Sequence, residues 1–252
     1  MHRPFADHFG GVATHYSGGR PSYPPELFRW LAGECHDRQL AWDCGAGNGQ
    51  ASVALAAYFK RVIASDASAA QIAQATTVSC GVEYRVAPAE ESGLPDGCAD
   101  IVTVAQALHW FDTPRFFAEV ARVLKTGGVL AAWSYGRLAI EGAEIDAAVQ
   151  AFYENDIGPY WPPERRHVED GYRSIAVPFP RLAPPTFTME AAWTLSHLLA
   201  YISSWSATAA FIKVQGVDPV DRLHQTLVRL WGDPERLRLV VWPLTVVVGR
   251  KD

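Results

Sequence analysis

Residues 41–50 read AWDCGAGNGQ, in which Gly45, Gly47 and Gly49 alternate behind Asp43. A strand that breaks into a glycine turn and then a helix brings backbone amides against a ligand. A dinucleotide pyrophosphate favours G-x-G-x-x-G at such a turn, whereas the spacing here is G-x-G-x-G. Asp43 stands two residues ahead of Gly45. A carboxylate there repels a pyrophosphate and attracts the ammonium and sulfonium of S-adenosylmethionine (SAM). Asp66 ends the next apolar run, 23 positions after Asp43, where a carboxylate can accept both ribose hydroxyls of either ligand. Loop, Asp43 and Asp66 together point to SAM. The alternative is a plain strand–turn–helix with a solvent-exposed aspartate.

A second group with chemistry lies in AQALHWF (105–111). The unperturbed pKa of His109 is near neutrality, which suits a general base if the acceptor is a hydroxyl or an amine; otherwise His109 caps a turn. Trp110 reads as core or pocket wall. Arg165, Arg166 and His167 form a local basic run, which reads as a solvated face before it reads as a contact for an acidic substrate. The stretch YSGGRPSYP (16–24) carries two tyrosines, an arginine and paired glycines, the makings of an ordered lid with flexible points.

The elements that must position these residues follow from apolar periodicity. Strands are expected at 40–44, 61–66, 82–87, 99–106 and 128–134, and helices at 49–59, 68–78 and 113–124. Ser68 with Gln71 fits a capping box, Pro114 sits in a first turn, and Gly127 with Gly128 reads as a helix stop. Strand–helix alternation implies right-handed crossovers and a largely parallel sheet. Pro24 and Pro25 open a helix whose Leu27, Trp30 and Leu31 share a face. Beyond residue 136, EIDAAVQAFYEND, MEAAWTLSHLLAYISSWSA and DPVDRLHQTLVRLWG look helical, and RLRLVVWPLTVVVGRKD looks β-like in two pieces.

Composition sets the bounds. The chain has 252 residues, 49% of them hydrophobic and 19% charged, with a net charge of -5, so no basic surplus speaks for nucleic acid. No apolar run is long enough to span a bilayer, and the first residues lack a signal-peptide core, which leads to the expectation of a cytoplasmic protein, monomer or homodimer. Cys35, Cys44, Cys80 and Cys98 form no C-x-x-C pair and no histidine cluster has ligand spacing, so reduced thiols and no metal are expected. The chain reads as one domain over 1–252: an N-terminal cap (1–36), a ligand-binding core (37–135), an insertion that builds the acceptor pocket and holds a sixth strand (136–237), and a last strand (238–252).

Three stretches closely resemble the class I SAM-dependent methyltransferases, and within them the small-molecule branch that includes trans-aconitate methyltransferases. They are DCGAGNGQ with Asp66, AEESGLPDGCADIVTVAQALHWFD (89–112) and YSGGRPSYP. The resemblance implies an α/β fold of the Rossmann-like, doubly wound kind, with a seven-stranded, mostly parallel sheet and one antiparallel strand. It implies SAM contacts from Asp43, Gly45, Ala46, Gly47, Asp66, Ala67 and Gln106, and an adenine pocket at 87–90. There Pro88 replaces the usual acidic residue, which leaves Ala89 to offer its amide and Glu90 to substitute in part. It places Tyr16, Arg20 and Tyr23 near donor and acceptor. Tyrosines can fence the sulfonium, and Arg20 can grip a carboxylate in bidentate fashion; Tyr16, Arg20 and His109 are the candidate catalytic residues. Trp110, Trp133, Tyr160, Trp161, Trp205 and Ser206 are candidates for the acceptor wall. The function so implied is methylation of a small molecule, with a carboxylic acid as first choice. A phenol, quinone, amine or natural-product scaffold is the alternative acceptor. From other classes remain a SAM-binding module without catalysis and a nicotinamide-dependent oxidoreductase, for which no tyrosine has a lysine four positions on.

Overall fold

The structure, a computed structural model, describes residues 21–75 and 81–252. The lid residues Tyr16 and Arg20, and Cys80, lie outside the described residues. In chain order the elements are α1 (Pro25–Gly33), β1 (Leu40–Cys44), α2 (Gln50–Leu55), β2 (Arg61–Asp66), α3 (Ala69–Ala73), β3 (Val82–Val86), β4 (Ala99–Ala105), α4 (Thr113–Val123), β5 (Leu124–Tyr135) and β6 (Ala139–Ile140). Then follow α5 (Ala143–Ala151), α6 (Arg165–Glu169), β7 (Arg181–Leu182), β8 (Phe187–Trp193), α7 (Leu195–Ser203), α8 (Ser206–Gln215), α9 (Val220–Trp231) and β9 (Arg238–Arg250).

The strands build one sheet. β3, β2, β1, β4 and β5 run parallel in that order, and β9 pairs antiparallel with β5. Leu244 of β9 faces Tyr135 of β5 on one edge and Phe187 of β8 on the other. Val240 and Val241 likewise pair with both β6 and β8. So β6 continues the rank of β5, β7 and β8 share the far edge, and among the described residues nine segments fill seven ranks with a single antiparallel strand, the expected fold class.

Parallel central strands are covered on both faces and therefore read as unbroken apolar runs. All five residues of β1 are buried. Ala41 turns to the layer that holds α1, α2, α5, α7 and α9, while Leu40, Trp42 and Cys44 turn to the layer under α4, with Phe116, Val120 and Val123. Trp42 is fully buried, and its indole N–H donates to Ser65 Oγ at 2.8 Å. Burial of such a side chain contributes on the order of 2–3 kcal/mol. Among the described residues no helix is long and apolar enough to cross a membrane.

Several local expectations are corrected. Gly127 and Gly128 do not stop a helix: α4 ends at Val123, Leu124 turns to ψ 140°, and the glycines pair with Lys251. The segment beginning MEAAW is not helical from its start. Met189–Trp193 belongs to β8, because its backbone finds a full ladder on β9 and tertiary pairing overrides helix propensity. The helix starts at Leu195, capped by Thr194, whose side chain accepts from His197 N. β9 is one strand rather than two pieces. Pro243 is tolerated because β5 pairs only with residues 244–250 and β6 only with 240–241, so the ladder on that edge is already interrupted at 242 and 243.

Glu119 of α4 anchors the loop before β4. It accepts from Ser92 N at 2.8 Å and Ser92 Oγ at 2.5 Å, and pairs with Arg122 at 2.7 Å. The Arg122 guanidinium, outweighing partial burial, holds its carboxyl at about 2. Because this pKa is depressed, its stabilisation is present above the ordinary carboxylate pKa and is lost as pH falls toward 2. Glu119→Gln should lower unfolding free energy by about 1–3 kcal/mol at pH 7, and by much less at pH 3, as read by urea denaturation at the two pH values.

Candidate active site

The glycine loop joins β1 to α2. Gly45, Gly47 and Gly49 all have positive φ (67°, 55° and 85°), conformations open to glycine at little cost. A Cβ on Gly45 would stand 2.6 Å from Ala107 Cβ and 3.0 Å from Phe111 Cζ. The loop is thus pressed against the segment that leaves β4. A Cβ on Gly47 would meet only Gln71 Oε1 at 3.8 Å. The Asp66 carboxylate at the end of β2 accepts from Gly47 N at 2.9 Å and Ser68 N at 2.8 Å, which fixes it beside the loop. Ala67 follows it, half-buried. Ala46 N donates to Ser65 O.

Asp43 is not the solvent-exposed aspartate of the alternative reading. It does not face outward: it is completely buried beneath the loop, accepting from Ser52 Oγ at 2.5 Å and Thr103 Oγ1 at 2.8 Å. Burial, only partly offset by these hydroxyls and reinforced by Asp66, raises its carboxyl to about 6. Its charge can act on a ligand only through space. Ala89 is buried, and Glu90 accepts from Asp112 N at 2.9 Å, a local turn contact.

The same end of the sheet carries the strain. Gln106, just past β4, and Tyr172 are the two non-glycine residues with positive φ among those described (56° and 58°). Such outliers persist where surrounding structure over-determines them. Gln106 N donates to Trp133 O and its side-chain N to Tyr135 O, while its buried Oε1 has no partner.

A cavity of about 100 Å³ opens beyond these strand ends. Its floor is Gln106, His109 and Trp110; one wall is Tyr135, Gly136 and Arg137; α5, α7 and α8 close it with Gln150, Tyr201, Trp205 and Ser206. A π-helical turn, Phe152–Asp156, carries Tyr153 into it, a backbone irregularity of the sort found at functional sites. Tyr153, Trp161 and Trp205 form a cluster with ring centres 5.0–5.8 Å apart. The Arg165 guanidinium lies 4.7 Å over Trp161, and its Nε donates to Tyr153 Oη at 3.1 Å. Arg137 sits 5.0 Å over the Tyr153 ring and pairs with Glu154. Among the described lining residues none is an aspartate or glutamate.

The cavity therefore gathers His109, Trp110, Trp161, Trp205 and Ser206. It does not include Trp133, which is fully buried in the core, edge-on to Tyr23 at 5.6 Å and Phe28 at 6.0 Å. Tyr23 packs there as well, and Tyr160 sits outside the wall, accepting from Gln215 at 2.6 Å. The basic run divides: Arg166 is exposed, His167 pairs with Ser174, and Arg165 turns into the cavity. His109 is also corrected. Burial, with Arg165 and His167 nearby, holds its imidazole at about 3, far from the neutral range of a general base. Sequence reasoning missed Arg137, Tyr153 and Tyr172. Only the place of Arg137, just past the carboxyl end of a strand, was a usable signal.

The residues fit SAM. Glycine backbone with φ above zero leaves a cradle at Gly47 free of side chain, and carboxylates stand under the loop and at the β2 end to balance a cationic donor. Comparison with known proteins agrees. A family model described as a methyltransferase domain matches residues 42–132. A Dictyostelium discoideum protein bearing a methyltransferase name is 38% identical over 98% of this chain and 96% of its own length. A Saccharomyces cerevisiae protein named as an S-adenosylmethionine-dependent methyltransferase is 27% identical, covering 77% of this chain and 78% of that protein. A solved structure from Anaeromyxobacter dehalogenans, of a protein bearing a type II methyltransferase name, superposes with a TM-score of 0.86 at 45% identity, over 92% of this chain and 97% of that one. With the sheet order, the glycine loop and these relatives in agreement, the chain belongs to the class I SAM-dependent methyltransferases.

Proposed function

We propose that this enzyme methylates a carboxylate oxygen of a small acidic molecule, held in the cavity beyond β4 and β5. The observation that carries the reading is the charge of the described wall: two arginines, Arg137 and Arg165, and no aspartate or glutamate. Of the two, Arg165 has no ion-pair partner among the described residues, so its guanidinium is available to a carboxylate. The resemblance to trans-aconitate methyltransferases points the same way.

Bound SAM supplies a methyl group on a sulfonium, already activated for displacement. The chain's own residues supply alignment and charge. Gly45 and Gly47 set the loop close to the 105–111 segment, so donor loop and acceptor cavity share one wall. The aromatic cluster of Tyr153, Trp161 and Trp205 excludes water from the reacting oxygen and holds the Arg165 plane in place. A carboxylate needs no base, in keeping with a cavity whose one histidine among the described lining residues is a poor proton acceptor.

The test is methyl transfer from labelled SAM to a panel of mono-, di- and tricarboxylic acids, phenols and amines. A base-labile methyl ester on an acid is expected; labelling confined to phenols or amines overturns the acceptor. Arg165→Gln should raise the acceptor KM about 10–100-fold with kcat changed only a few-fold, the loss of a charge-assisted contact of roughly 1.5–3 kcal/mol. Equal loss on charged and neutral acceptors would remove Arg165 from this role.

A further inference from the structure

His109 lies in a one-turn helix, Leu108–Trp110, with its Nδ1 3.1 Å from the hydroxyl of Tyr172, a residue that is not part of the cavity lining. His109 itself lines the cavity. Tyr172 is 1% exposed and is held in its left-handed conformation by Tyr172 N donating to His167 O at 2.7 Å and Ile175 N donating to Tyr172 O at 3.1 Å. A tyrosine forced into that region, with its hydroxyl aimed at a cavity histidine, is a constraint directed at that histidine.

We propose that His109 is a tautomer-locked hydrogen-bond donor into the acceptor cavity, not a base, and that Tyr172 is the positioning residue that locks it. A phenol O–H is a better donor than an imidazole N–H, and an imidazole nitrogen a better acceptor than a phenol oxygen. The bond at 3.1 Å therefore runs from Tyr172 Oη–H to His109 Nδ1. The one ring proton then sits on Nε2, on the edge left to the cavity. There it donates to an oxygen lone pair of the acceptor. The buried Ser134 hydroxyl beside Tyr172 acts to lower the phenol's pKa, the sense of a hydroxyl that donates to the phenol oxygen and leaves the phenol proton to His109.

The basic groups around the ring act in the same sense. Arg165 and His167, both on α6, disfavour an imidazolium, burial does so more strongly, and Arg137 adds a further positive charge across the cavity. No described residue of the wall is a lysine, cysteine or carboxylate that could take a proton in place of His109. The acceptor must then arrive with no proton to lose. Transfer breaks the methyl C–S bond and forms a C–O bond, the sulfur keeps the electron pair, and no proton moves. This deepens, and rests on, the reading of the cavity as a carboxylate site.

The experiment has two readouts. Nitrogen-15 NMR of histidine-labelled protein, with His109→Gln to assign the signals, should show His109 as the neutral Nε2–H tautomer from pH 5 to 8. Tyr172→Phe should give a mixture of tautomers. An Nδ1–H tautomer, or titration near pH 6.5, overturns the proposal. In activity, the side-chain amide of His109→Gln can still donate but cannot take a proton, so it should lose less than about tenfold in kcat/KM, while His109→Leu loses about 30–100-fold, the range of a lost hydrogen bond. Equal losses in two variants of wild-type melting temperature overturn the donor role. A locked tautomer in a protein that methylates no carboxylate would leave the His109 assignment standing and remove the acceptor reading alone.

Discussion

Asp43→Asn should give a protein that melts higher and binds its donor more weakly. The folded pKa of Asp43 is raised to about 6 from an ordinary 3.8, chiefly by burial. For a carboxyl shifted in this direction the native state binds the extra proton, so stability falls as pH rises through this interval and the ionised group is a net cost at neutrality. A shift of this size corresponds to about 2–3 kcal/mol. Asparagine has the same shape, can accept from one of Ser52 and Thr103 and donate to the other, and carries no charge to desolvate. The donor loses the buried negative charge that faces its cations through the loop. At ~6 Å and an effective dielectric near 20 that charge is worth about 2–3 kcal/mol, or roughly 30–150-fold in Kd. Calorimetric titration with SAM, beside thermal melts of both proteins, checks both signs. The same linkage predicts that wild-type affinity for SAM rises between pH 5 and 7 as Asp43 ionises. Unchanged affinity in Asp43→Asn would remove this carboxylate from the donor site.

Gly45→Ala should damage both folding and donor binding. The residue holds φ 67°, where a Cβ costs about 1–2 kcal/mol. The added Cβ would also meet Ala107 Cβ at 2.6 Å, an atom fixed to the backbone between β4 and His109. Overpacking of this kind costs about 1–3 kcal/mol, for a total near 2–5 kcal/mol in denaturant unfolding. Relief requires the loop to lift from the 105–111 segment, which separates donor from acceptor. A fall of at least about 100-fold in kcat/KM is expected. Gly47→Ala is the control: its Cβ has open space and only its positive φ is penalised, so its stability loss should stay near ~1 kcal/mol. If both variants lose the same unfolding free energy, the contact with Ala107 does not hold the loop.

The parallel half of the sheet was legible because each signal there is local. β1, β2 and β4 are short apolar runs bounded by turn residues, and Ser68 does cap α3. What failed was non-local. Met189–Trp193 has the composition of a helix and becomes a strand only because β9, about 50 residues on, offers its edge. Trp133 and Trp161 look alike in sequence. The first falls on a strand position facing the α1 layer, the second on a loop after the π-helical turn, and only three-dimensional packing tells core from wall. For Asp43, sequence gives the carboxylate and not the Ser52 and Thr103 hydroxyls that turn it inward. Arg165 looked like a solvated charge because nothing local reveals the rings of Trp161 and Tyr153 beneath it.

The place of β9 bears on how the molecule is assembled. Leu130 pairs with Gly249, and Phe187 with Leu244, so this strand is zipped on both edges to chain far earlier in sequence. Contacts of such long separation form slowly, because loop-closure entropy is spent before they reward it. β1 to β5 can meet through nearby crossovers, but until β9 arrives the long, apolar β5 shows an open edge to its surroundings. That interval is when a nascent chain is most prone to pair with another copy of itself. Yield during synthesis, more than the stability of the finished fold, is the property on which changes in β9 should tell first.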